Sequence, residues 1–222
     1  MMEESSNHHY LFPKWTNLLR PAVALGALGG LIYVVVIVWF GFSPKTTAVG
    51  YQPEQPVPYS HALHVGQLGL DCRYCHNTVE RAAFAAIPPT QTCMNCHSMI
   101  RKTSEKLTPI FSSYATGMPV EWIKVHDLAD YVYFNHSAHV RRGIGCVSCH
   151  GRIDTMEVVR QVEPLSMGWC LNCHRNPEKY LRPQEFITQL DWVPEEDQLV
   201  LGRRLRETYN INPPQDCYTC HR

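Results

Sequence analysis

Cysteine and histidine recur in this 222-residue chain in one fixed pattern, C-x-x-C-H. Five copies use all ten cysteines: Cys72/Cys75/His76 (site 1), Cys93/Cys96/His97 (site 2), Cys146/Cys149/His150 (site 3), Cys170/Cys173/His174 (site 4) and Cys217/Cys220/His221 (site 5). Two cysteines at this spacing can bind the two vinyl groups of one porphyrin, and the histidine after them then faces the iron. The pattern predicts five covalently bound c-type haems, each with a proximal histidine. No thiol is left for a disulfide or a nucleophile.

Zinc is the main alternative, because paired C-x-x-C units also build tetrahedral structural sites. A zinc ribbon does not require a histidine after the second cysteine, whereas all five units here have one. Because the chain has 12 histidines in 222 residues, this coincidence has a chance probability of roughly one in two million. The sequence therefore favours haem over zinc.

The haem region contains an internal duplication. YSHALHVGQLGLDCRYCH (59–76) aligns with FNHSAHVRRGIGCVSCH (134–150) after one gap, and a second C-x-x-C-H follows each copy. The region is therefore predicted to consist of two dihaem units, 59–125 and 126–180, and a C-terminal part, 181–222, that carries the fifth haem.

Each copy of the repeat contains an H-x-x-H pair, His61/His64 and His136/His139. A second strong axial ligand gives a low-spin haem suited to electron transfer. We predict that His61 and His136 bind the iron of the site that follows them, and that His64 and His139 bind a neighbouring iron. Each pair would then hold two haems close together.

Four distal histidines leave one iron of the five without a second ligand. Met156 lies 14 residues before Cys170, an interval similar to those of the paired histidines, and is the preferred candidate. His126 and Met167 remain alternatives for this position. His8 and His9 precede the predicted membrane span and are not considered as ligands.

The element that precedes the haem region is an apolar segment. Residues 21–42, PAVALGALGGLIYVVVIVWFGF, contain no charge and as a helix would rise about 33 Å, enough to cross a hydrocarbon core of about 30 Å. We predict an uncleaved single-span anchor, with a cleaved signal peptide as the alternative. Covalent haem attachment takes place outside the bacterial cytoplasmic membrane, so residues 1–20 are predicted to be cytoplasmic and the haem domain periplasmic.

A proline-rich stretch, residues 43–58, separates the span from the haem domain, 59–222, and predicts an extended tether. Lys+Arg and Asp+Glu number 20 each, so no basic surface indicates nucleic-acid binding. With roughly 36 residues per haem, we expect short α-helices and irregular chain packed around the haems. A G-x-x-x-G between Gly26 and Gly30 would allow close approach of a partner helix in the membrane.

Catalytic signatures of other kinds do not occur in the sequence. It contains no glycine-rich phosphate loop and no G-x-S-x-G, and every haem motif ends in histidine. The stretch after site 4, WVPEEDQLVLGRRLRETYN, predicts a solvated helix that begins at Pro194 and could present a face to a partner. The sequence thus favours electron relay over catalysis at a haem.

Several longer stretches carry a resemblance to one family. The single N-terminal span, VHDLADYVYFNHSAHV, CHGRIDTMEVVRQVEPLSMGWCLNCHRNPE and the ending YNINPPQDCYTCHR closely resemble the pentahaem cytochrome c subunit of alternative complex III. The resemblance covers nearly the whole chain. It implies an electron-relay subunit of a membrane quinol:periplasmic acceptor oxidoreductase, with a mostly bis-histidine ligand set and at most one His/Met haem.

The resemblance also implies partners. In that family the quinol, usually menaquinol, is oxidised mainly on polytopic and iron-sulfur subunits, and electrons leave through a further cytochrome subunit or directly to a periplasmic acceptor. A stand-alone, membrane-anchored multihaem quinol dehydrogenase is the alternative. Such proteins place a haem motif close to the span, whereas about thirty residues separate Phe42 from Cys72 here.

Overall fold

The structure is a computed structural model that describes residues 12–221, and these divide at residue 47 into an N-terminal and a C-terminal unit. The N-terminal histidines His8 and His9 lie outside the described residues. The N-terminal unit is helical: a 3₁₀-helix Lys14–Leu18, α1 Leu19–Val36, a π-helix Ile37–Gly41 and α2 Pro44–Thr47.

The first three of these helices follow one another without a break and form one long apolar helix. Trp15–Gly41 is continuous over 27 residues, and its most apolar 18 residues have a mean hydropathy of 2.5 and are not buried. At 1.5 Å per residue it spans about 40 Å, more than the hydrocarbon core of a membrane. Pro21 lies near the start of α1 and has no N–H to donate to the 3₁₀-helix that precedes it. The helix is long and apolar enough to cross a membrane.

The C-terminal unit is built from short helices joined by irregular chain. Its α-helices are α3 Cys72–Cys75, α4 Thr90–His97, α5 Thr108–Thr116, α6 His136–Arg141, α7 Val147–His150, α8 Met167–Arg175, α9 Gln198–Thr208 and α10 Cys217–Cys220. A π-helix spans Ala62–Gln67, and 3₁₀-helices span Glu105–Leu107, Ile153–Thr155, Pro177–Lys179 and Gln184–Phe186. An isolated antiparallel bridge joins Ile144 and Leu181.

The attachment motifs lie in or beside short helices, and polar side chains cap three of these helices. Asp71 accepts a hydrogen bond from the Arg73 N–H at the start of α3. Ser166 caps α8 and Asp216 caps α10 in the same way. Such caps satisfy amide groups at helix starts, and they stabilise even four-residue helices. Sites 1, 4 and 5 are therefore positioned by a capping residue that lies before the first cysteine.

The chain that follows α2 packs on the C-terminal unit. The Gly50 N–H donates to the Gln161 carbonyl at 2.8 Å, and the Gln161 N–H donates to the Tyr51 carbonyl at 3.0 Å. The Gln55 side chain makes two hydrogen bonds with the backbone of Ile123, and Val57 is buried. Residues 51–60 contain no helix, but much of this predicted tether is hydrogen-bonded to the haem domain.

A small apolar core lies towards the C-terminus. It consists of the buried side chains of Leu181, Leu201, Leu205 and Ile211, with Trp192 and Tyr209 packed against them. The helix predicted here exists, but two details of the prediction were wrong. Asp197 caps α9, because its carboxylate accepts from the Leu199 and Val200 N–H groups, and one face of α9 is buried rather than solvated.

Candidate haem sites

Both copies of the H-x-x-H pair are held by an aromatic ring two residues before the first histidine. Tyr59 stacks on His64 with ring centres 4.4 Å apart and meets His61 edge-on at 4.8 Å. Phe134 stacks on His139 at 4.5 Å and meets His136 edge-on at 4.7 Å. The ring fixes the orientation of two imidazoles at once. The alignment contained this aromatic position, but nothing in the sequence indicated its role.

The helices that carry the two pairs differ by one residue. His136 and His139 lie on the α-helix α6, whereas His64 lies in the π-helix Ala62–Gln67, in which the Leu68 N–H donates to the Leu63 carbonyl. A π-turn contains one more residue than an α-turn. The π-helix therefore absorbs the single-residue gap in the alignment and keeps the two pairs equivalent.

Hydrogen bonds orient the second histidine of each pair. Nδ1 of His64 is 2.8 Å from the Ser60 carbonyl, and Nδ1 of His139 is 2.8 Å from the Asn135 carbonyl. A carbonyl can only accept, so Nδ1 carries the proton and donates it. Nε2 then keeps its lone pair and is the nitrogen available to a metal.

Four of the proximal histidines are oriented in the same way, with Nδ1 facing a backbone carbonyl. The acceptors are Ala86 for His76 (2.9 Å), Ile100 for His97 (3.3 Å), Pro214 for His174 (2.6 Å) and Tyr131 for His221 (3.2 Å). A hydrogen bond from Nδ1 to a carbonyl fixes the tautomer and raises the basicity of Nε2. Each of these imidazoles can therefore bind a metal through Nε2.

Two pairs of these imidazoles face each other at a distance that fits one iron between them. The ring centres of His64 and His97 are 6.3 Å apart, and those of His139 and His174 are 6.1 Å apart. Two metal–nitrogen bonds of about 2 Å, with about 1.1 Å from each nitrogen to its ring centre, add up to about 6.2 Å. The residues present at sites 2 and 4 thus fit a haem with two axial histidines.

The remaining histidines cluster around sites 1 and 3. Burial lowers the pKa of His61 to about 4, with nearby His76 and His64 adding to the effect. Burial also lowers the pKa of His126 to about 4 and that of His150 to about 3. These imidazoles are neutral at pH 7, which is the form that binds metals.

Two nitrogens in this cluster are buried without a hydrogen-bond partner, Nδ1 of His61 and Nε2 of His126. A buried polar nitrogen without a partner is unfavourable and often indicates a ligand. The rings of His126 and His150 touch edge-on at 4.4 Å, a contact that sequence reasoning missed. The Nδ1 atom of His136 lies 3.0 Å from the Ala83 carbonyl, in the segment that follows site 1. The ligand roles of His61 and His136 stay predictions.

The two methionine candidates for the fifth iron lie in different surroundings. Met156 is buried, with 4% of its surface exposed, and its carbonyl accepts from the Ala62 N–H. Met167 is 63% exposed at the start of α8, three residues before Cys170. The preference for Met156 over His126 and Met167 stays a prediction. Among the described residues, no group of three or more His, Cys, Asp or Glu side chains is arranged to hold a metal ion without a porphyrin.

Comparisons with known proteins indicate a multihaem cytochrome c. Residues 132–222, which contain sites 3, 4 and 5, match the family of cytochrome c7 and related cytochrome c. This part of the chain is therefore similar to cytochrome c7. It is also 33% identical over 122 residues to the "Menaquinone reductase, multiheme cytochrome c subunit" of Nitratidesulfovibrio vulgaris, an alignment that covers 54% of this chain and 56% of the relative.

The chain therefore spans about half the length of the curated relative that it matches. The predicted fold is confirmed in its coarser form, a multihaem arrangement of short helices and irregular chain with one apolar N-terminal helix. The prediction of several c-type haems is likewise supported. The number five and the individual axial ligands stay predictions.

Proposed function

We propose that this chain is the electron-relay subunit of a membrane quinol:acceptor oxidoreductase of the alternative complex III type. The observation that carries the proposal is the pairing of His64 with His97 and of His139 with His174 at the spacing of two axial ligands. Two histidine ligands fill both axial positions of an iron, so such a haem transfers electrons and does not bind substrate. The similarity to a multihaem subunit of a quinone-linked enzyme supports the same role.

The proposal assigns a role to each group of residues in this chain. The ten cysteines anchor five c-type haems, and the five motif histidines are their proximal ligands. His61, His64, His136 and His139 are distal ligands, and Met156 is the preferred ligand of the fifth iron. When bound, the haems supply one-electron redox chemistry. The chain itself fixes their spacing and tunes them through the hydrogen bonds to Nδ1.

The relay needs an electron donor and an electron acceptor besides its own haems. Oxidation of one quinol to quinone releases two protons to the solvent and two electrons, which pass singly through the haems and reduce two one-electron acceptors. We place the quinol site on polytopic and iron-sulfur partners. The electrons then leave to a cytochrome subunit or to a soluble periplasmic acceptor. The long apolar helix Trp15–Gly41 anchors the chain in the bacterial cytoplasmic membrane, with the haem domain on its outer side.

The name of the relative favours a second candidate, a relay that works in the opposite direction. A menaquinone reductase subunit would pass electrons from a periplasmic donor towards menaquinone. The quinone would then take up two electrons and two protons. The same sites serve either direction, because the order of the haem potentials and the partners determine the net flow.

The experiment is extraction of the native membrane in mild detergent, followed by identification of the proteins that co-migrate with the haem-stained chain. Polytopic and iron-sulfur subunits with quinol:acceptor activity would support the first candidate. The same subunits with donor:menaquinone activity and no quinol oxidation would support the second. A haem protein that migrates alone and oxidises quinol by itself would contradict both, and it would indicate the stand-alone dehydrogenase.

A further inference from the structure

The sequence duplication in the C-terminal unit corresponds to a two-fold relation in space. The Ala62 N–H donates to the Met156 carbonyl at 3.0 Å, and the Ser137 N–H donates to the Ala82 carbonyl at 3.2 Å. Ala62 corresponds to Ser137 in the repeat alignment, and continuing the register of His76 and His150 beyond the alignment pairs Ala82 with Met156 and Glu80 with Asp154. The same hydrogen bond is therefore made in both directions, as in an isologous dimer interface.

A second pair of contacts obeys the same relation. A Cβ on Gly66 would lie 2.2 Å from the Asp154 carbonyl oxygen, and the Arg141 Nε–H donates to the Glu80 carbonyl at 2.8 Å. Gly66 corresponds to Arg141, and Glu80 to Asp154. In each direction the H-x-x-H segment of one repeat therefore packs on the chain that follows the first haem site of the other repeat.

This two-fold relation brings site 1 next to site 3. The Thr188 hydroxyl donates to Asp71, which directly precedes Cys72, at 2.8 Å. The neighbouring Ile187 carbonyl accepts from the Cys146 N–H at 3.0 Å. The sulfur atoms of Cys72 and Cys146 also lie within hydrogen-bonding reach of each other. The two corresponding cysteines therefore lie at the centre of the repeat pair.

Site 2 is a second neighbour of site 1. The Asn95 amide, between the cysteines of site 2, donates to the Tyr74 hydroxyl, between the cysteines of site 1, at 3.2 Å. His64, which pairs with His97 of site 2, follows His61 by three residues. Sites 1 and 2 are therefore neighbours.

Different contacts connect sites 3, 4 and 5. His139 pairs with His174 of site 4 and lies seven residues before Cys146 of site 3. Nδ1 of His174 is 2.6 Å from the carbonyl of Pro214, three residues before Cys217 of site 5. Site 4 therefore lies between sites 3 and 5.

We infer that the five attachment sites lie in the spatial order 2–1–3–4–5, which differs from their order in the sequence, and that sites 2 and 5 are the ends at which electrons enter and leave. The inference rests on the proposed relay function. The exposure of the cysteines agrees with it: of the ten, only Cys96 of site 2 and Cys217 of site 5 are exposed, and the other eight are partly buried.

The test counts the magnetic neighbours of one site in the full haem-loaded chain. His64→Ala removes the distal ligand of site 2, so that haem becomes high-spin and speeds the spin relaxation of adjacent low-spin ferric haems. The order 2–1–3–4–5 predicts faster relaxation of one low-spin signal in electron paramagnetic resonance. The sequence order predicts two, because site 2 would then lie between sites 1 and 3.

Two matched variants calibrate the count. His139→Ala at site 4 should affect two signals, and His8→Ala, before the predicted span, should affect none. Two affected signals with His64→Ala would overturn the inference, as would an unchanged low-spin spectrum, since His64 would then not join site 2 to the first repeat. Neither result would change the subunits that co-migrate with the chain, so it would leave the proposed function standing.

A second measurement uses the unaltered protein and avoids folding defects in the variants. Tyr218, beside Cys217, is 83% exposed, and Tyr74, between Cys72 and Cys75, is 46% exposed. Intact cells contain the partner subunits and any soluble acceptor, so hydroxyl radicals should modify Tyr218 there less than Tyr74, because a redox partner covers the end of the series. Faster modification of Tyr218 than of Tyr74 in intact cells would show that site 5 is not a partner-facing end and would overturn the inference.

Discussion

Phe134→Ala tests whether an aromatic ring positions two axial histidines at once. The Phe134 ring contacts His139 at 4.5 Å and His136 at 4.7 Å. Each aromatic contact of this kind contributes about 0.5–1.5 kcal/mol beyond simple burial, so the two together contribute about 1–3 kcal/mol. We expect iron binding by each histidine to weaken by about 0.5–1.5 kcal/mol.

Acid titration of the low-spin haem spectrum measures this loss. Protons compete with iron for Nε2, so weaker binding lets acid displace the histidine at a higher pH. One pH unit corresponds to 1.36 kcal/mol, so the displacement midpoint of the affected haems should rise by about 0.4–1.1 pH units. About two fifths of the haem absorbance should respond, because two of five irons use these histidines.

The first repeat supplies the matched control. Tyr59 occupies the corresponding position and makes the same two contacts with His61 and His64, so Phe134→Tyr should leave the midpoint unchanged. Equal midpoints for Phe134→Ala and the unaltered protein would refute the positioning role. A shift of the whole haem spectrum, rather than of about two fifths, would show a general loss of structure instead.

Three further variants test the fold. Hydrogen bonds from Arg73 hold the pKa of Asp71 at about 2, below its usual 3.8. Asp71→Asn should therefore lower the unfolding free energy at pH 7 by less than about 1 kcal/mol. This difference should disappear as pH falls from about 4 to about 2, because Asp71 is then protonated in both the folded and the unfolded state. Gly202→Ala should cost about 1–3 kcal/mol in urea unfolding, because its Cβ would lie 2.0 Å from the Glu178 carbonyl oxygen. Asp197→Ala should cost about 1 kcal/mol in the same assay, because α9 loses its cap.

Each of these variants has an outcome that contradicts its basis. A constant stability difference for Asp71→Asn between pH 7 and pH 2 would show that the charge of Asp71 is not responsible. Glu207→Ala, on the exposed face of α9, is the control for the other two and should change stability little. If Gly202→Ala or Asp197→Ala behaves like Glu207→Ala, then the close contact with Glu178 or the cap is wrong.

The sequence was informative wherever chemistry needs a fixed spacing. C-x-x-C-H and H-x-x-H place ligands through local geometry, so the pairing of His64 and His139 with a second haem site could be anticipated, and the structure brings each close to a site histidine. The apolar span could be predicted equally well. The helix Trp15–Gly41 nevertheless begins earlier than predicted, because the apolar residues Trp15 and Leu18 extend it towards the N-terminus.

Features that depend on contacts between residues distant in sequence could not be predicted from the sequence. Nothing near His126 indicates that its ring meets His150, and nothing in residues 50–57 indicates hydrogen bonds to Gln161 or Ile123. The start of α9 was misplaced because Pro194 suits a first turn, whereas Asp197 can accept two amide hydrogen bonds. The spatial order of the sites was hidden for the same reason, since it arises from packing between the repeats.

The most direct test of the central claim, that all five C-x-x-C-H sites carry covalent haem, is the intact mass of the denatured native protein. Thioether bonds survive denaturation, whereas zinc and non-covalent haem are lost. We predict the mass of the polypeptide plus five haems. A mass equal to the bare polypeptide would contradict the account, and a mass with fewer than five haems would remove the corresponding sites from the relay.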